Sequence, residues 1–336
     1  MKELISRLET MPFIVAWLFL IFLFVLFATK WVRSIALRQG IMDTPSPRSS
    51  HITPTPRGGG LAFVTGISIG HSVLFLYELN SLWLICLYFS CFIVAGTGWR
   101  DDQISLSPQT RLSLQFVATL TLLCAFFPFT EVSFQTMVIP EWACWVVLPL
   151  FVMWSINLYN FMDGIDGLSS IQGITVSLGG ALLSYLHGDS LLCFAFIVIA
   201  CACCGFLRWN WMPASIFSGD VGSTYLGIMF AGLILAAVSR GTFSLTVGLI
   251  LMGSFYVDAT YTLLARLIKG QKPHEPHKTH AYQKANRVGH PPNRICKAFA
   301  LINLFWLVPL AWGASSNAEL EIYLFILACL PLVGLS

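Results

Sequence analysis

Residues 141–186 read EWACWVVLPLFVMWSINLYNFMDGIDGLSSIQGITVSLGGALLSYL, two long apolar runs separated by a short polar break. Each run is close to the roughly 20 mostly apolar residues that a helix needs to cross a bilayer. The break, residues 158–168, holds an amide, two aspartates and two glycines and suits a membrane surface. The stretch predicts two membrane-spanning helices, 141–157 and 169–186, with a polar site where they meet.

The same alternation of apolar runs and polar breaks continues along the whole chain. Apolar residues make up 56% of the sequence and charged residues only 10%, against about 25% charged residues in soluble domains. We therefore predict an all-α, polytopic integral membrane protein with a single membrane-embedded domain over residues 1–336. The apolar runs predict about 11 transmembrane helices, at 11–28, 60–78, 82–98, 112–128, 141–157, 169–186, 191–207, 222–238, 243–262, 295–312 and 320–335.

The distribution of positive charge predicts the orientation. Lysines and arginines concentrate in the breaks after predicted helices 1, 3, 5, 7 and 9, and such residues favour the cytoplasmic side of a membrane. Lys30, Arg33 and Arg38 follow the first apolar run, with no small-residue cleavage site, so we interpret it as a retained helix rather than a signal peptide. The N-terminus is predicted to lie outside, with the chemistry-bearing breaks on the cytosolic face of a plasma membrane.

Two adjacent carboxylates, Asp101 and Asp102, directly follow one apolar run. Neighbouring carboxylates repel each other, so the pair is favoured near a cation or a basic group. For an isolated pair, a helix cap with a solvated neighbour is the simpler interpretation. The other polar breaks of this chain favour a functional one.

Polar side chains recur at every third position in Asn157, Asn160, Asp163 and Asp166. Helical spacing of three places them broadly along one face. A helix end and a turn would explain the neighbouring glycines, but not four amides and carboxylates in a chain so poor in polar residues. This segment is predicted to be functional.

The segment Ser218-Gly219-Asp220 precedes another apolar run and has the composition of a helix N-cap. That interpretation is compatible with function, because a helix N-terminus attracts phosphate and a carboxylate there can hold Mg²⁺. The motif is weak on its own.

Histidines His274, His277 and His280 recur at every third position in a late polar segment. Zinc binding, contact with phosphate or sugar hydroxyls, and a solvated loop are the alternatives, and nearby lysines favour phosphate or sugar. Arg57, before three glycines, and Arg111, at the start of a helix, are either membrane-surface anchors or phosphate ligands.

The four motifs occur in the order DD, NxxNFMDGxDGL, GDxGSxxLG and a His-rich segment ending in PHxxHAYQ. This order resembles the polyprenyl-phosphate N-acetylhexosamine-1-phosphate transferase superfamily over nearly the whole chain. The resemblance implies that a membrane-bound undecaprenyl phosphate attacks a UDP-N-acetylhexosamine, releasing UMP and leaving a polyprenyl diphospho-sugar.

The resemblance also implies roles for individual residues. Asp220 matches the family's Mg²⁺ ligand, with Mn²⁺ as an alternative ion. Asp101, Asp102, Asp163 and Asp166 match catalytic positions, and the substrate-binding positions are Asn157, Asn160, His274, His277, His280, Arg57 and Arg111. A phosphate monoester has a second pKa near 6 and is mostly ionised at neutral pH, so a general base is not compulsory.

The spaced histidines resemble the branch that initiates O-antigen and related surface glycans of lipopolysaccharide. The muramoyl-pentapeptide transferase of peptidoglycan synthesis is an alternative, and a secondary transporter is an alternative from another class. Helix centres nearly free of ionisable residues disfavour a transporter, and the intact acidic motifs disfavour an inactive regulatory descendant. Membrane lipids are predicted partners and nucleic acid is not; which sugar is transferred, and whether the chain forms a homodimer, stay open.

Overall fold

The computed structural model describes residues 2–45, 53–78, 81–127, 133–134, 137–138, 140–271 and 278–335. Over these ranges the chain is almost entirely helical, which confirms the all-α prediction. The helices are α1 (Lys2–Gln39), α2 (Gly60–His71), α3 (Leu74–Tyr77), α4 (Leu82–Ile104), α5 (Pro108–Leu123), α6 (Glu141–Met162), α7 (Leu168–Leu186), α8 (Ser190–Asn210), α9 (Asp220–Ser239), α10 (Leu245–Leu251), α11 (Gly253–Ile268), α12 (Ala281–Arg287), α13 (Pro292–Ile302), α14 (Val308–Ser316) and α15 (Glu321–Leu335).

Two short antiparallel strand pairs accompany the helices. Strand β1 (Met42–Asp43) pairs antiparallel with β2 (Thr55–Pro56), and β3 (Ser133–Phe134) pairs antiparallel with β4 (Met137–Val138). Short 3-10 turns follow α5 and precede α15, at Cys124–Phe126 and Ala318–Leu320.

Eight helical segments of the described chain are long and apolar enough to cross a bilayer, or nine if α10 and α11 form one bent span. Helices suit this environment because lipid offers no hydrogen-bond partners to an unpaired backbone. The polytopic prediction is confirmed, whereas the count of 11 spans is not. Helix α5 has only 16 residues, and α7 is less apolar because it carries buried polar side chains such as Gln172 and Thr175.

Helix α9 is the centre of the fold. Every residue from Val221 to Val238 is buried, and α2, α4 and α6 pack against it. Helix α1 lies at the periphery, since most of its apolar stretch is exposed, as expected of a surface that faces lipid.

Polar side chains gather at both ends of α9, which has 20 residues and is therefore about 30 Å long. Its N-terminal end begins at Asp220, and the C-terminal ends of α4 and α6 contact it there. At its C-terminal end, Arg240 pairs with Glu78 and Asp189. The acidic motifs thus converge at one end of the central helix, and a separate ion-pair network occupies the other.

Two predicted helices contain a sharp bend or a π-helical turn. The predicted helix 243–262 is bent by 86° between α10 and α11, at Met252 and Gly253. The predicted helix 295–312 contains a π-helical turn, Asn303–Leu307, between α13 and α14. Pro309 follows this turn and lacks the N–H that would continue a regular hydrogen-bond ladder. Asn303 turns inward there, and its Nδ2 donates to Gln172 Oε1 at 2.7 Å.

Candidate active site

Arg111, in the first turn of α5, joins carboxylates from two other helices. Its Nη1 lies 3.1 Å from Oδ2 of Asp101 on α4 and 3.7 Å from Oδ2 of Asp220 on α9. The chain turns back between α4 and α5, so the Leu106 N–H also donates to Oδ1 of Asp101. The Arg111 side chain is 39% exposed, which leaves part of the guanidinium group open to an incoming phosphate oxygen.

Asp102 has a different environment from its neighbour. It is only 2% exposed, and its carboxylate accepts hydrogen bonds from the backbone N–H groups of Asp220, at 3.0 Å, and Val221, at 3.3 Å. These are unpaired donors of the first turn of α9. Asp102 therefore caps α9 from the neighbouring helix, a position that Gly219 keeps open: a Cβ atom there would lie 2.3 Å from Asp102 Oδ2.

Glycines allow the backbones of three helices to touch near Asp220. A Cβ atom on Gly98 of α4 would lie 2.6 Å from the Asp220 carbonyl group. A Cβ atom on Gly60, the first residue of α2, would lie 2.4 Å from the Gly222 Cα. Real Cβ atoms essentially never approach so closely, so larger residues at Gly98 or Gly60 would separate the helices that form the site.

The amides of the NxxN motif have separate partners. Nδ2 of Asn160 donates to Oδ1 of Asp220 at 2.8 Å and to Oγ of Ser223 at 3.2 Å, so Asn160 belongs to the site. Nδ2 of Asn157 donates at 2.8 Å to Oε1 of Gln115 on α5. Asn157 therefore links α6 to α5, on the side where Arg111 lies.

The two aspartates after Asn160 lie beyond the end of α6 at Met162, so the predicted single helical face does not extend to them. Asp163 accepts a hydrogen bond from the Ser218 hydroxyl group. Burial raises the pKa of Asp163 above its usual value, although hydrogen bonds from Ser169 and Ser218 oppose the shift. Asp166 Oδ2 accepts from the Ala214 N–H at 2.8 Å and so holds the loop between α8 and α9.

Arg57 lies between β2 and α2. Its charge is within electrostatic range of Asp102, and its Nε is buried without a hydrogen-bond partner. The segment after it is fixed by backbone hydrogen bonds from Gly59 N to Phe217 O at 2.8 Å and from Gly60 N to Ser218 O at 2.7 Å. Arg57 is thus held at the site with hydrogen-bonding capacity to spare.

His280 is the one predicted histidine within the described residues, since His274 and His277 lie outside them. It is 3% exposed, and its Nδ1 lies 3.4 Å from Oδ1 of Asp258 on α11. Its ring stacks on Tyr282 with centroids 5.8 Å apart. Its buried position is that of an anchoring residue at the end of the His-rich segment.

Sequence reasoning did not assign roles to Asp258, Asn210 and Gln115. Asn210 Oδ1 accepts from Gly167 N at 3.1 Å and its Nδ2 donates to Ile216 O at 3.1 Å, which joins the two loops beside the site. Each of these three residues is polar and lies in a predicted apolar run or at its end. Their isolation in apolar sequence was the available signal, because a polar group in a membrane span needs a partner.

The residues of the site fit one class of metal ion. Among the described residues, no group of three or more His, Cys, Asp or Glu side chains is arranged to hold a metal ion. Two carboxyl groups, Asp101 and Asp220, do lie on the same nitrogen of Arg111, at 3.1 and 3.7 Å. Mg²⁺ is commonly held by one or two carboxylates, with water and substrate phosphates as the other ligands. The arrangement therefore fits Mg²⁺ completed by a phosphate substrate, and does not fit an all-protein cage.

Comparison with known proteins places this geometry in context. The family model "Glycosyl transferase family 4" matches residues 84–238, which include the Asp101, Asn160 and Asp220 motifs. The chain is 31% identical over 327 residues to a decaprenyl-phosphate N-acetylglucosaminephosphotransferase of Mycolicibacterium smegmatis, covering 87% of this chain and 79% of the relative.

Two further relatives have similar names. A probable undecaprenyl-phosphate N-acetylglucosaminyl 1-phosphate transferase of Bacillus subtilis is 28% identical over 79% of this chain and 75% of its own length. The undecaprenyl-phosphate alpha-N-acetylglucosaminyl 1-phosphate transferase of Escherichia coli K12 is 27% identical over 84% of this chain and 78% of its own length.

Proposed function

Because the chain belongs to the polyprenyl-phosphate N-acetylhexosamine-1-phosphate transferase superfamily, we propose that it transfers a sugar 1-phosphate from a UDP-N-acetylhexosamine to undecaprenyl phosphate. An oxygen of the lipid phosphate attacks the phosphorus attached to the sugar. The bond from this phosphorus to the bridging oxygen breaks, and that oxygen leaves as part of UMP. The product is a polyprenyl diphospho-sugar.

The convergence of Asp101, Arg111 and Asp220 is the single observation that carries this proposal. Three helices place two carboxylates, from Asp101 and Asp220, within 3.7 Å of one guanidinium nitrogen of Arg111 at the end of α9. Asn160 orients the Asp220 carboxylate through its 2.8 Å hydrogen bond. A membrane protein has little reason to concentrate such groups at one helix end unless they handle charged ligands.

The charges of the substrates explain the need for these side chains. Bringing a phosphate monoester to a diphosphate gathers at least three negative charges, and fixed positive groups lower the barrier to their approach. Arg111, partly exposed beside Asp101, is assigned to the lipid phosphate. Arg57, with its unpartnered Nε, is assigned to the diphosphate of the nucleotide sugar.

The two carboxylates next to Arg111 are assigned to Mg²⁺, with Mn²⁺ as an alternative. Asp220 and Asp101 would hold the ion, which supplies positive charge to the diphosphate oxygens when bound. Asn160 keeps Oδ1 of Asp220 in place, and Arg111 holds the Asp101 carboxylate. The lipid phosphate is already mostly ionised at neutral pH, so Asp101 has no need to remove a proton from it.

The remaining acidic and basic groups are assigned around the nucleotide. Asp163 lies between Ser218 and Ser169, next to the loop that Asp166 holds. In our proposal Asp163 contacts the nucleotide sugar. The segment from His274 through His277 to His280 is assigned to the diphosphate and the sugar. Asn157 acts on Arg111 through Gln115 and α5 rather than on the nucleotide.

N-acetylglucosamine is the sugar we propose, because the relatives named above are N-acetylglucosamine 1-phosphate transferases. Initiation of O-antigen or a related surface glycan remains our prediction for the pathway, with the muramoyl-pentapeptide reaction as the alternative. The uneven distribution of lysine and arginine supports an N-terminus outside the plasma membrane and an active site facing the cytoplasm.

The test is release of UMP by the full-length protein in detergent with undecaprenyl phosphate and UDP-N-acetylglucosamine. We expect UMP only when both substrates and Mg²⁺ are present, loss of release with EDTA, and loss in Asp220→Ala. A panel of UDP-sugars in the same assay identifies the donor. Release without the lipid acceptor, or full activity of Asp220→Ala, would contradict the proposal.

A further inference from the structure

Asp258 on α11 is a buried carboxylate that the proposed reaction does not use. It is 2% exposed. The backbone N–H of Ala281 donates to both of its oxygens, at 3.0 and 3.1 Å, and Thr262 Oγ1 donates to Oδ1 at 3.2 Å. A buried charge is unfavourable unless it is paired and hydrogen-bonded. These contacts fix the backbone at the point where the chain leaves the His-rich segment.

Tyr282 connects the backbone fixed by Asp258 to the candidate active site. The ring of Tyr282 stacks on that of His280 with an interplanar angle of 14°. Its hydroxyl group donates to the Phe161 carbonyl oxygen at 3.0 Å. A Cβ atom on Gly164 would lie 2.1 Å from that hydroxyl oxygen. Tyr282 therefore packs against the backbone that carries Asn160 and Asp163.

We propose that Asp258 is a positioning residue for the transfer reaction: it fixes the end of the His-rich segment against the loop that carries Asn160 and Asp163. This inference rests on the proposed function. Asp258 acts through His280 and Tyr282, and does not itself touch the substrates.

The positioning role predicts a specific kinetic change. Asp258→Ala removes the acceptors for Ala281 N, so kcat falls and KM for the UDP-sugar rises. KM for undecaprenyl phosphate stays unchanged, because the lipid phosphate is assigned to Arg111 on α5 and not to the segment that Asp258 holds. A displacement of about 1 Å reduces turnover by up to about 100-fold, so we expect kcat/KM for the nucleotide sugar to fall between 10- and 100-fold. Asp258→Asn, which keeps one acceptor oxygen, should recover part of the loss.

Asp189 provides a matched control. It also caps a helix, accepting from Leu192 N at 3.1 Å, and it is held by charged and hydroxyl donors. It lies at the opposite end of α9, in the network with Arg240. Asp189→Asn should lower the melting temperature and leave kcat/KM for both substrates within about threefold of wild type, when each variant is assayed below its melting temperature.

Hydrogen exchange gives a readout that does not depend on turnover. In Asp258→Ala the amide of Ala281 should lose protection, while Asp189→Asn retains it. Kinetics of Asp258→Ala that match those of Asp189→Asn, or unchanged protection at Ala281, would overturn the inference. A wild-type protein that releases no UMP would instead overturn the proposed function and, with it, the role of Asp258 in the reaction. The exchange data would then test only whether Asp258 fixes the backbone at Ala281.

Discussion

Oδ1 of Asp102 lies 3.0 Å from the backbone nitrogen of Asp220 and accepts its hydrogen bond. The neighbouring carboxylate, Asp101, points to Arg111 instead, with Oδ2 3.1 Å from Nη1. Two adjacent aspartates thus have different tasks. Asp102 holds the helix that carries Asp220, and Asp101 pairs with Arg111, where our proposal places the charged groups of the substrates.

This division predicts that one conservative substitution lowers stability and that the other lowers kcat. Asp102→Asn leaves one acceptor oxygen for two N–H groups, and an unpaired buried donor lowers stability by about 1–3 kcal/mol. Asp101→Asn should leave the melting temperature nearly unchanged and lower kcat about 100-fold, the usual effect of losing one electrostatic group of an active site. UMP release and thermal unfolding, measured on both proteins, distinguish the two. Equal effects of both substitutions on both measurements would contradict the division.

The contact between Gly98 and Asp220 makes a second prediction. In Gly98→Ala the new methyl group meets the Asp220 backbone at 2.6 Å, so α4 and α9 must separate, and overpacking of this kind lowers stability by about 1–3 kcal/mol. We expect a lower melting temperature and at least a tenfold loss of UMP release, because Asp101 and Asp220 move apart.

Gly96, on the same helix, is the control for Gly98. A Cβ atom there has nothing within 4 Å, and alanine is the better helix former by up to about 1 kcal/mol. Gly96→Ala should therefore be as stable and as active as wild type. If Gly98→Ala behaved like Gly96→Ala in both assays, the close approach of α4 to α9 would not matter for the site.

Asp163 should limit stability while supporting activity. Burial raises its pKa, which means that folding disfavours its ionised form. The resulting destabilisation is fully present above the folded pKa and disappears as the pH falls through the unfolded value of about 3.9. Asp163→Asn removes it and retains an acceptor for Ser218. The variant should match or exceed wild-type stability at pH 7.5, with the difference shrinking toward pH 4, while UMP release falls at least 100-fold.

Thermal unfolding of both proteins in detergent across that pH range tests this prediction. Asp166→Ala is the comparison, because Asp166 accepts a backbone N–H from Ala214 and loss of that acceptor should weaken the loop between α8 and α9. A large loss of stability in Asp163→Asn at neutral pH would show that its ionised form is structural.

The composition of this chain made the site unusually visible in the sequence. Where only 10% of residues are charged, each polar break stands out, and Asp101, Asn160 and Asp220 were identified as one site from such breaks. Their proximity agrees with the predicted alternation of spans, because the breaks after predicted helices 3, 5 and 7 all fall on one side of a membrane. Apolar runs also predicted the helices, since lipid leaves the backbone little choice.

Hydropathy alone did not predict where the helices bend or which partner each carboxylate takes. Next to the 86° bend between α10 and α11, Ser254 Oγ donates to Gln172 Oε1 at 2.9 Å, a contact between residues 82 positions apart. Asp258 likewise is an isolated aspartate in an apolar run of the sequence, and only the folded structure shows that Ala281 N donates to it. Pairings between distant residues depend on helix packing, which hydropathy does not encode.

The opposite end of α9 provides a prediction about stability without a change in activity. Arg240 Nε lies 2.7 Å from Oδ2 of Asp189, and its Nη1 lies 2.8 Å from Oε1 of Glu78. Burial opposes ionisation of both acids, but hydrogen bonds outweigh it, including those from Arg240, and the pKa of each lies below its usual value. The network connects the chain segments before α4, α8 and α10.

Arg240→Gln should therefore destabilise the protein by about 1–3 kcal/mol at neutral pH, because it leaves two partly buried carboxylates without their cation. The depressed pKa values mean that the network stabilises the fold above the unfolded values of about 3.9 and 4.3 and loses this effect as the pH falls through the lower folded values. The difference in melting temperature from wild type should stay constant between pH 6 and 8 and shrink below about pH 4. Arg38→Gln, at an exposed position, should change neither the melting temperature nor its dependence on pH.

UMP release by Arg240→Gln below its melting temperature should equal that of wild type, because about 30 Å of α9 separates the network from Asp220. A fall in kcat with the fold intact would mean that the two ends of α9 are coupled.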